Sequence, residues 1–343
     1  MKVGIVGLPN VGKSTVFNAL TGEHALSSNY PFCTIDPNVG MVEVPDKRLE
    51  ELAAFVKAKE KKYTTVEFVD IAGLIKGASK GEGLGNKFLS HIRSVDVVLH
   101  VVRCFEDSQV SHPFPEIDPA RDIDIINMEL LLADLEMLGN TIAKAKKLDS
   151  KDKEILDKIG EKLNQGKFIR DVSLSPEEKD ILKGFQFLTL KPAVYLANVK
   201  EDDTKSIMFA EQLEAKAKQD GCVAIRLSAK LDEEIAHLPD EEKEEYRKEL
   251  QTEDSLKRLI NVCYDTFGFI TFYTIANEKA AAWAIVKGTT AGEAAGKIHS
   301  DMEKGFIKAE VISFEEIKSQ GKRRIEGKEY IVNDGDVLNF KFH

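Results

Sequence analysis

The segment Gly7-Leu8-Pro9-Asn10-Val11-Gly12-Lys13-Ser14 matches the pattern G-x-x-x-x-G-K-[ST]. It follows an apolar, strand-like run at residues 3–6 and precedes a helical stretch, the context that separates a true phosphate-binding loop from a chance match. Glycines at both ends let backbone N–H groups turn inward around phosphates, and the N-terminus of the following helix adds its positive dipole. The segment therefore predicts a P-loop fold that binds a nucleoside triphosphate such as ATP or GTP.

Side chains of three segments are expected to bind the triphosphate and its metal ion. Lys13 should reach the β- and γ-phosphate oxygens, and the Ser14 hydroxyl is placed to ligate the Mg²⁺ that bridges them. Residues 66–70 form an apolar strand that ends in Asp70, which is expected to hold Mg²⁺ through water. Thr34, in the segment 29–34, is the hydroxyl expected to close over the metal.

Residues 70–73 match the D-x-x-G pattern of G proteins. The Gly73 amide is expected to meet the γ-phosphate, so that the following loop orders with triphosphate and relaxes after hydrolysis. Residues 77–86 include four glycines, which lower the barrier to such a rearrangement. The alternative is a simple flexible turn.

The residues that organise hydrolysis are less evident from the pattern. Ras-like proteins orient the attacking water with a glutamine after D-x-x-G, but Leu74 occupies that position and cannot form a hydrogen bond through its side chain. The side-chain oxygen of Asn10 can bind K⁺, which would place positive charge where an arginine finger sits. His112 is a second candidate for positioning the water, and the alternative for it is a solvent-facing loop histidine.

The base site is predicted from a variant of the N-K-x-D motif with which G proteins bind guanine. This chain has Asn198-Val199-Lys200-Glu201, in which Val199 replaces the packing lysine and Glu201 places its carboxylate one methylene further out. A displaced carboxylate leaves guanine donors unpaired, and each buried mismatch costs about 1–3 kcal/mol, so adenine becomes a plausible base. Ser228-Ala229-Lys230, after the next strand, matches the S-A-K element that contacts the base through its backbone.

The order of patterns along the chain predicts an α/β protein of three parts. Residues 1–121 and 185–265 alternate β-rich runs with helical stretches, as in a mostly parallel sheet wrapped by helices. Between them, apolar residues recur at helical spacing at 128–142 and 155–163, which predicts an inserted helical hairpin at 122–184. The far end of the hairpin is expected to be basic. It is either a solvated helix face or a surface that docks an anionic partner. Residues 266–343 form a compact mixed domain.

Composition limits the class of protein. No apolar run approaches the roughly 18 residues that cross a bilayer, so we expect no membrane association. The four cysteines are widely spaced, which favours reduced thiols and a cytoplasmic location. A net charge of −10 argues against a wholly basic nucleic-acid binder, although a local basic patch can still bind RNA.

These motifs together resemble the Obg-like ATPase family, known in bacteria as YchF. The resemblance spans nearly the whole chain and is carried by GLPNVGKST, NYPFCTIDPN, DIAGLIKGASKGEGLG, N-V-x-E and the C-terminal IEGKEYIVNDGDVLNFKF. It implies a P-loop G domain of the TRAFAC class with an inserted coiled-coil hairpin and a C-terminal TGS domain of ubiquitin-like β-grasp fold. It also implies preference for ATP over GTP, dependence on Mg²⁺ and often K⁺, and association with the ribosome or its large subunit through RNA or protein.

The resemblance also assigns residues. It implies that residues 7–15 bind phosphates, among them Asn10, Val11, Gly12, Lys13, Ser14 and Thr15, and that Asp70 and Gly73 form the second switch. It also implies that Asn198, Val199, Glu201, Ser228 and Ala229 surround the base, and the S-A-K match adds Lys230. Two segments depart from the family pattern. Pro113-Phe114-Pro115 after His112 replaces H-V-x-G, which weakens a catalytic role for that histidine, and residues 319–324 form a shorter loop than is usual for TGS domains.

Three functions follow as hypotheses. The leading one is a slow ATPase switch that acts on the translation machinery, with the hairpin tip and the TGS domain as docking surfaces. The second is a guanine-specific translational GTPase of the Obg type. The third is an interaction scaffold whose nucleotide only orders a surface and whose turnover is negligible.

Overall fold

The computed structural model describes residues 1–24, 38–71, 86–144, 149–249, 254–319 and 321–343. These residues divide into two units, the first made of Met1–Val42 and Glu67–Leu259 and the second of Glu43–Val66 and Ile260–His343. Thr34, Gly73 and Leu74 lie outside the described residues. So do residues 77–85 of the loop expected to order with triphosphate, and residues 145–148 of the predicted hairpin.

The secondary structure alternates strands and helices over most of its length. The strands are β1 (Lys2–Val6), β2 (Val39–Glu43), β3 (Glu60–Lys62), β4 (Thr65–Asp70), β5 (Val97–Cys104), β6 (Ala193–Val199), β7 (Val223–Leu227), β8 (Phe269–Ala276), β9 (Lys279–Val286), β10 (Phe306–Ser313), β11 (Arg324–Glu326) and β12 (Asp336–Phe342). The helices are α1 (Lys13–His24), α2 (Lys47–Phe55), α3 (Asn86–Arg93), α4 (Pro119–Lys144), α5 (Ser150–Asn164), α6 (Pro176–Lys183), α7 (Thr204–Gln219), α8 (Ala229–Ala236), α9 (Asp240–Glu249), α10 (Ser255–Phe267), α11 (Ala291–Ile298), α12 (Ser300–Lys304) and α13 (Phe314–Lys318). In the described ranges, no helix is both long enough and apolar enough to cross a bilayer.

The sheet of the first unit positions the predicted site. Its strand order is β2-β4-β1-β5-β6-β7, and β4, β1, β5, β6 and β7 pair in parallel. All eight residues of β5 are buried, as expected for a parallel sheet with helices on both faces. The carboxyl ends of parallel strands lie at one edge, and β1 lies where the chain order reverses, the place where α/β sheets bind ligands. The predicted α/β class with a mostly parallel sheet is confirmed.

The insertion between β5 and β6 is helical, as predicted. Leu131 and Leu138 of α4 are buried in one apolar cluster with Ile159 of α5, which accounts for part of the helical spacing seen in the sequence. Met128 and Leu132, which share that spacing, are exposed instead.

The second unit is a mixed sheet with helices on both of its faces. Its strand order is β11-β10-β12-β8-β9-β3, with antiparallel pairs β10–β11, β10–β12 and β8–β9 and parallel pairs β12–β8 and β3–β9. Alanines 291, 294 and 295 of α11 pack with Phe272 in one core, and α2 packs Leu49 and Leu52 with Tyr273 in another.

Residues 43–66 belong to the second unit, whereas the predicted boundaries placed them in the first domain. Besides the packing of α2, the Arg48 guanidinium forms two hydrogen bonds with the Asp334 carboxylate, at 2.6 and 3.1 Å. These contacts join residues far apart in the chain, which the local pattern of 43–66 does not relate to each other.

Candidate nucleotide-binding site

The turn after β1 has a backbone that only glycine can adopt at two positions. Gly7 has φ +147°, and a Cβ there would lie 2.2 Å from the Val101 carbonyl oxygen. Gly12 has φ +100°, and a Cβ there would lie 2.2 Å from Asn198 Nδ2. The two glycines that define the motif are therefore required by close packing against β5 and β6.

Lys13 is the first residue of α1, and its side chain is buried within the turn. The residue is 7% exposed, and its Nζ donates a hydrogen bond to the Leu8 carbonyl at 2.5 Å. Burial lowers the pKa of Lys13 to about 8, an effect that the nearby Asp70 carboxylate partly opposes. An ammonium group already removed from water interacts more strongly with a phosphate than an exposed one does.

Ser14 and Asp70, two of the residues expected to hold Mg²⁺, lie next to each other. The Ser14 hydroxyl donates to Asp70 Oδ2 at 2.8 Å, and Asp70, the last residue of β4, is buried. A hydroxyl and a carboxylate oxygen within hydrogen-bond distance fit a hard cation such as Mg²⁺. The described residues contain no group of three or more histidine, cysteine and acidic side chains that would hold a metal by themselves.

Asn198 connects the phosphate loop to the base motif. Its Nδ2 donates to the Val11 carbonyl at 2.9 Å, and its Oδ1 accepts from the Ala229 amide at 3.1 Å. Ser228 caps α8, because its side chain accepts from the Leu231 amide. Asn198 thus orients both loops, a role that the sequence analysis did not assign to it.

A pocket of about 910 Å³ extends from the phosphate loop to the N-terminus of α8. Its volume falls in the range of small-molecule and cofactor sites, about 300–1,000 Å³. Predicted residues that line it are Asn10, Gly12, Lys13, Ser14, Thr15, Asn198, Glu201, Ser228, Ala229 and Lys230. Val11 and Val199 were also predicted to bind the nucleotide, but they do not line the pocket. Lys200, which was not predicted, does line it.

The pocket has a further wall that the motifs did not indicate. Phe105, Asp107 and Val110, from the segment after β5, line it together with Leu231 of α8. The available signal was positional, because a segment that follows a central parallel strand lies at the ligand-binding edge of the sheet.

Comparison with known proteins identifies the family. The model of a family described as 50S ribosome-binding GTPase matches residues 2–132, and the model of the YchF GTPase C-terminal domain, described as a protein of unknown function, matches residues 269–343. The chain is 47% identical to the ribosome-binding ATPase YchF of Escherichia coli O157:H7 over 359 residues, covering 100% of this chain and 99% of that protein. The chain belongs to the YchF family. The relative of the same name from Bacillus subtilis is 47% identical over 364 residues, with the same coverage.

A solved structure agrees with membership of the YchF family. The structure of the Schizosaccharomyces pombe YchF GTPase matches with a TM-score of 0.88 and 34% sequence identity, covering 99% of this chain and 97% of that one. The resemblance inferred from the motifs is therefore confirmed, and so is the predicted combination of a P-loop G domain, a helical insertion and a C-terminal domain rich in β-strands.

His112 of this YchF-family chain does not lie in the pocket. Its side chain is 5% exposed, and Nε2 lies 3.1 Å from Asp122 Oδ2 in the first turn of α4. Its Nδ1 accepts from the Phe114 amide at 3.3 Å, and burial raises the pKa of Asp122. The residue is thus not the solvent-facing loop histidine considered above, and its partner is a buried carboxylate.

Asn10, the other candidate for organising hydrolysis, lies at the mouth of the pocket with φ 59°. Its Nδ2 donates to the Ser111 carbonyl at 3.1 Å and to the Ser111 hydroxyl at 3.0 Å. These contacts fix the amide by its nitrogen, so its oxygen is on the side away from Ser111.

Proposed function

We propose that this YchF-family chain is a slow ATPase switch that associates with the ribosome in the cytoplasm. The proposal rests on the pocket that Lys13 and Ser14 of the phosphate loop line together with Glu201 and the N-terminus of α8. Asp70 does not line this pocket but accepts a hydrogen bond from Ser14. The names of the E. coli and B. subtilis relatives support both ATP hydrolysis and ribosome binding. The hairpin at 122–184 and the domain at 266–343 are the proposed docking surfaces.

The residues at the phosphate end have separate roles in this proposal. Inward amides of the P-loop and the Lys13 ammonium bind the phosphate oxygens, and the charge they supply stabilises the transition state of phosphoryl transfer. Ser14 and Asp70 would hold Mg²⁺, with Thr34 as a further ligand; the bound ion neutralises charge on the β- and γ-phosphates. Gly73 would sense the γ-phosphate through its amide.

Preference for adenine is proposed to depend on Glu201. Titration of the magnesium-loaded protein with ADP and GDP tests it directly, and we expect ADP to bind more tightly. The double substitution Val199→Lys plus Glu201→Asp restores the guanine motif and should move the ratio of the two dissociation constants toward GDP by about tenfold.

Glu234→Asp is the matched control, because it shortens another glutamate of the same pocket by one methylene. It should leave the ratio of ADP to GDP affinity unchanged. Tighter binding of GDP by the unmodified, folded protein would favour the guanine-specific GTPase instead. Negligible turnover together with nucleotide-dependent sedimentation with ribosomes would favour the scaffold.

We propose K⁺, bound by the side-chain oxygen of Asn10, as the charge that replaces an arginine finger. Turnover should then be at least about tenfold faster in K⁺ than in Na⁺, and Asn10→Ala should abolish that difference. Ser111→Ala is the control, since it removes one partner of the amide nitrogen and keeps the Asn10 oxygen. Equal rates in K⁺ and Na⁺ would contradict the assignment, and His112 would then be re-examined through His112→Ala.

A further inference from the structure

The segment 105–111, here called the 105–111 loop, is built around a buried cation. Arg103, near the end of β5, is 2% exposed, although it is an arginine next to a surface loop. Its Nε donates to the Phe105 carbonyl at 3.0 Å, Nη1 to the Val110 carbonyl at 2.9 Å and Nη2 to the Asp107 carbonyl at 2.9 Å. One planar guanidinium thus binds three carbonyl groups of one short loop.

The same guanidinium also orients an aromatic side chain. Its Cζ lies 4.7 Å from the centre of the Phe105 ring, within the distance of a cation–π contact. Phe105 and Val110 both line the pocket, so the apolar surface of the 105–111 loop faces the ligand space while its carbonyl groups face Arg103. Because the donors of Arg103 face carbonyls of its own loop, its charge is not directed at the phosphates.

The 105–111 loop lies beside both parts of the site. Arg103 pairs with Asn198 in the register of β5 and β6, so Phe105 follows β5 where Lys200 and Glu201 follow β6. Glu106 forms an ion pair with Lys205 at the start of α7, at 2.6 Å. At the other end of the loop, Ser111 accepts both hydrogen bonds of the Asn10 amide.

We propose that Arg103 is a positioning residue that sets purine recognition by holding the 105–111 loop as a preformed wall of the base pocket. The inference deepens the proposed function and rests on it. Without the guanidinium, the carbonyls of Phe105, Asp107 and Val110 turn to water, the loop relaxes, and Phe105 loses its fixed place against the base. The side chains expected to bind phosphate have other partners, since Lys13 donates to the Leu8 carbonyl and Ser14 donates to Asp70. Asn10 is bonded to Ser111 at the far end of the loop, and none of the three carbonyls that Arg103 binds takes part in that contact.

The test compares ligands with and without a base. Calorimetric titration with Mg²⁺ would measure dissociation constants for ADP, GDP and inorganic tripolyphosphate in the full chain and in Arg103→Met. We expect the variant to bind ADP about 10- to 100-fold more weakly, the ratio of ADP to GDP affinity to move toward one, and tripolyphosphate affinity to stay within about threefold.

Arg170→Met is the matched control. Arg170 also lies over a phenylalanine ring, with Cζ 4.4 Å from the centre of Phe168, and its Nη1 donates to the Lys191 carbonyl at 3.4 Å, but it does not line the pocket. Its loss should leave the affinities for all three ligands unchanged. Should thermal unfolding show that Arg103→Met does not fold, Phe105→Ala decides, because it removes the positioned ring and keeps the guanidinium; the same selective loss of ADP binding is expected.

Equal losses of ADP and tripolyphosphate affinity in a folded variant, or no loss of either, would overturn the role of Arg103. Failure of the proposed function gives a different result, because it would be seen in the unmodified protein, as tighter binding of GDP than of ADP, as binding of neither nucleotide, or as negligible turnover.

Discussion

Lys13→Met is expected to lower kcat/KM for ATP hydrolysis by about 100- to 1,000-fold, the usual effect of removing one charged donor from a transition state that accumulates negative charge. The ammonium group is buried, and its position at the start of α1 places it beside the amides of the phosphate loop. Methionine has a similar length and no charge, so the change removes the donor without opening a cavity. Steady-state release of phosphate measures the effect.

Lys191→Met is the control for this substitution. Lys191 is another lysine whose pKa burial lowers, and its Nζ donates to the backbone carbonyls of Arg93 and Val95, but it does not line the pocket. It tests whether loss of any partly buried lysine is enough to lower turnover. If Lys191→Met lost as much activity as Lys13→Met while both remained folded, the phosphate-binding role of Lys13 would be contradicted.

The lowered pKa of Lys13 adds a pH dependence to the same prediction. Below a pH of about 8 the free protein carries the ammonium, and above it the neutral amine predominates, so kcat/KM should decline as pH rises through about 8. The parameter kcat/KM reports groups of the free enzyme, which is the state described here. Lys191→Met should retain this decline. A value of kcat/KM that stays constant up to pH 10 would contradict the prediction, because it would show that Lys13 does not lose its proton near pH 8.

The geometry of the phosphate loop could be predicted because its determinants are consecutive residues. A strand, two glycines, a lysine and a serine within one segment fix both the backbone turn and the groups that face the ligand. The base motif could be predicted in part, since Asn198 and Glu201 keep their places relative to β6. The motif predicts only contacts with the base, whereas the Asn198 side chain also forms hydrogen bonds with the backbone of two loops.

Features that depend on distant packing could not be predicted. The burial of His112 requires Asp122 of α4, and the place of residues 43–66 requires Tyr273 of β8. The wall formed by the 105–111 loop depends on backbone carbonyls bound by Arg103, so no residue pattern within the loop signals it.

Gly12→Ala is expected to weaken binding of ADP by at least about 100-fold. A strained backbone alone costs about 1–3 kcal/mol, and the steric conflict of the new Cβ adds to that cost. The φ of +100° disfavours any side chain, and the new Cβ would lie 2.2 Å from Asn198 Nδ2. Asn198 must then move, which breaks its bonds with the Val11 carbonyl and the Ala229 amide and separates the phosphate loop from α8. Calorimetric titration with ADP measures the loss.

Gly22→Ala tests whether any alanine in this region has the same effect. Gly22 lies in α1, and a Cβ there would meet the nearest heavy atom, Ala236 Cβ, at 3.6 Å, an ordinary contact. Because alanine favours a helix over glycine by roughly 0.5–1 kcal/mol, this variant should bind ADP normally and unfold at a slightly higher temperature. Normal ADP binding by Gly12→Ala would contradict this prediction. It would mean that the hydrogen bonds of Asn198 with the Val11 carbonyl and the Ala229 amide are not what aligns the phosphate loop with α8.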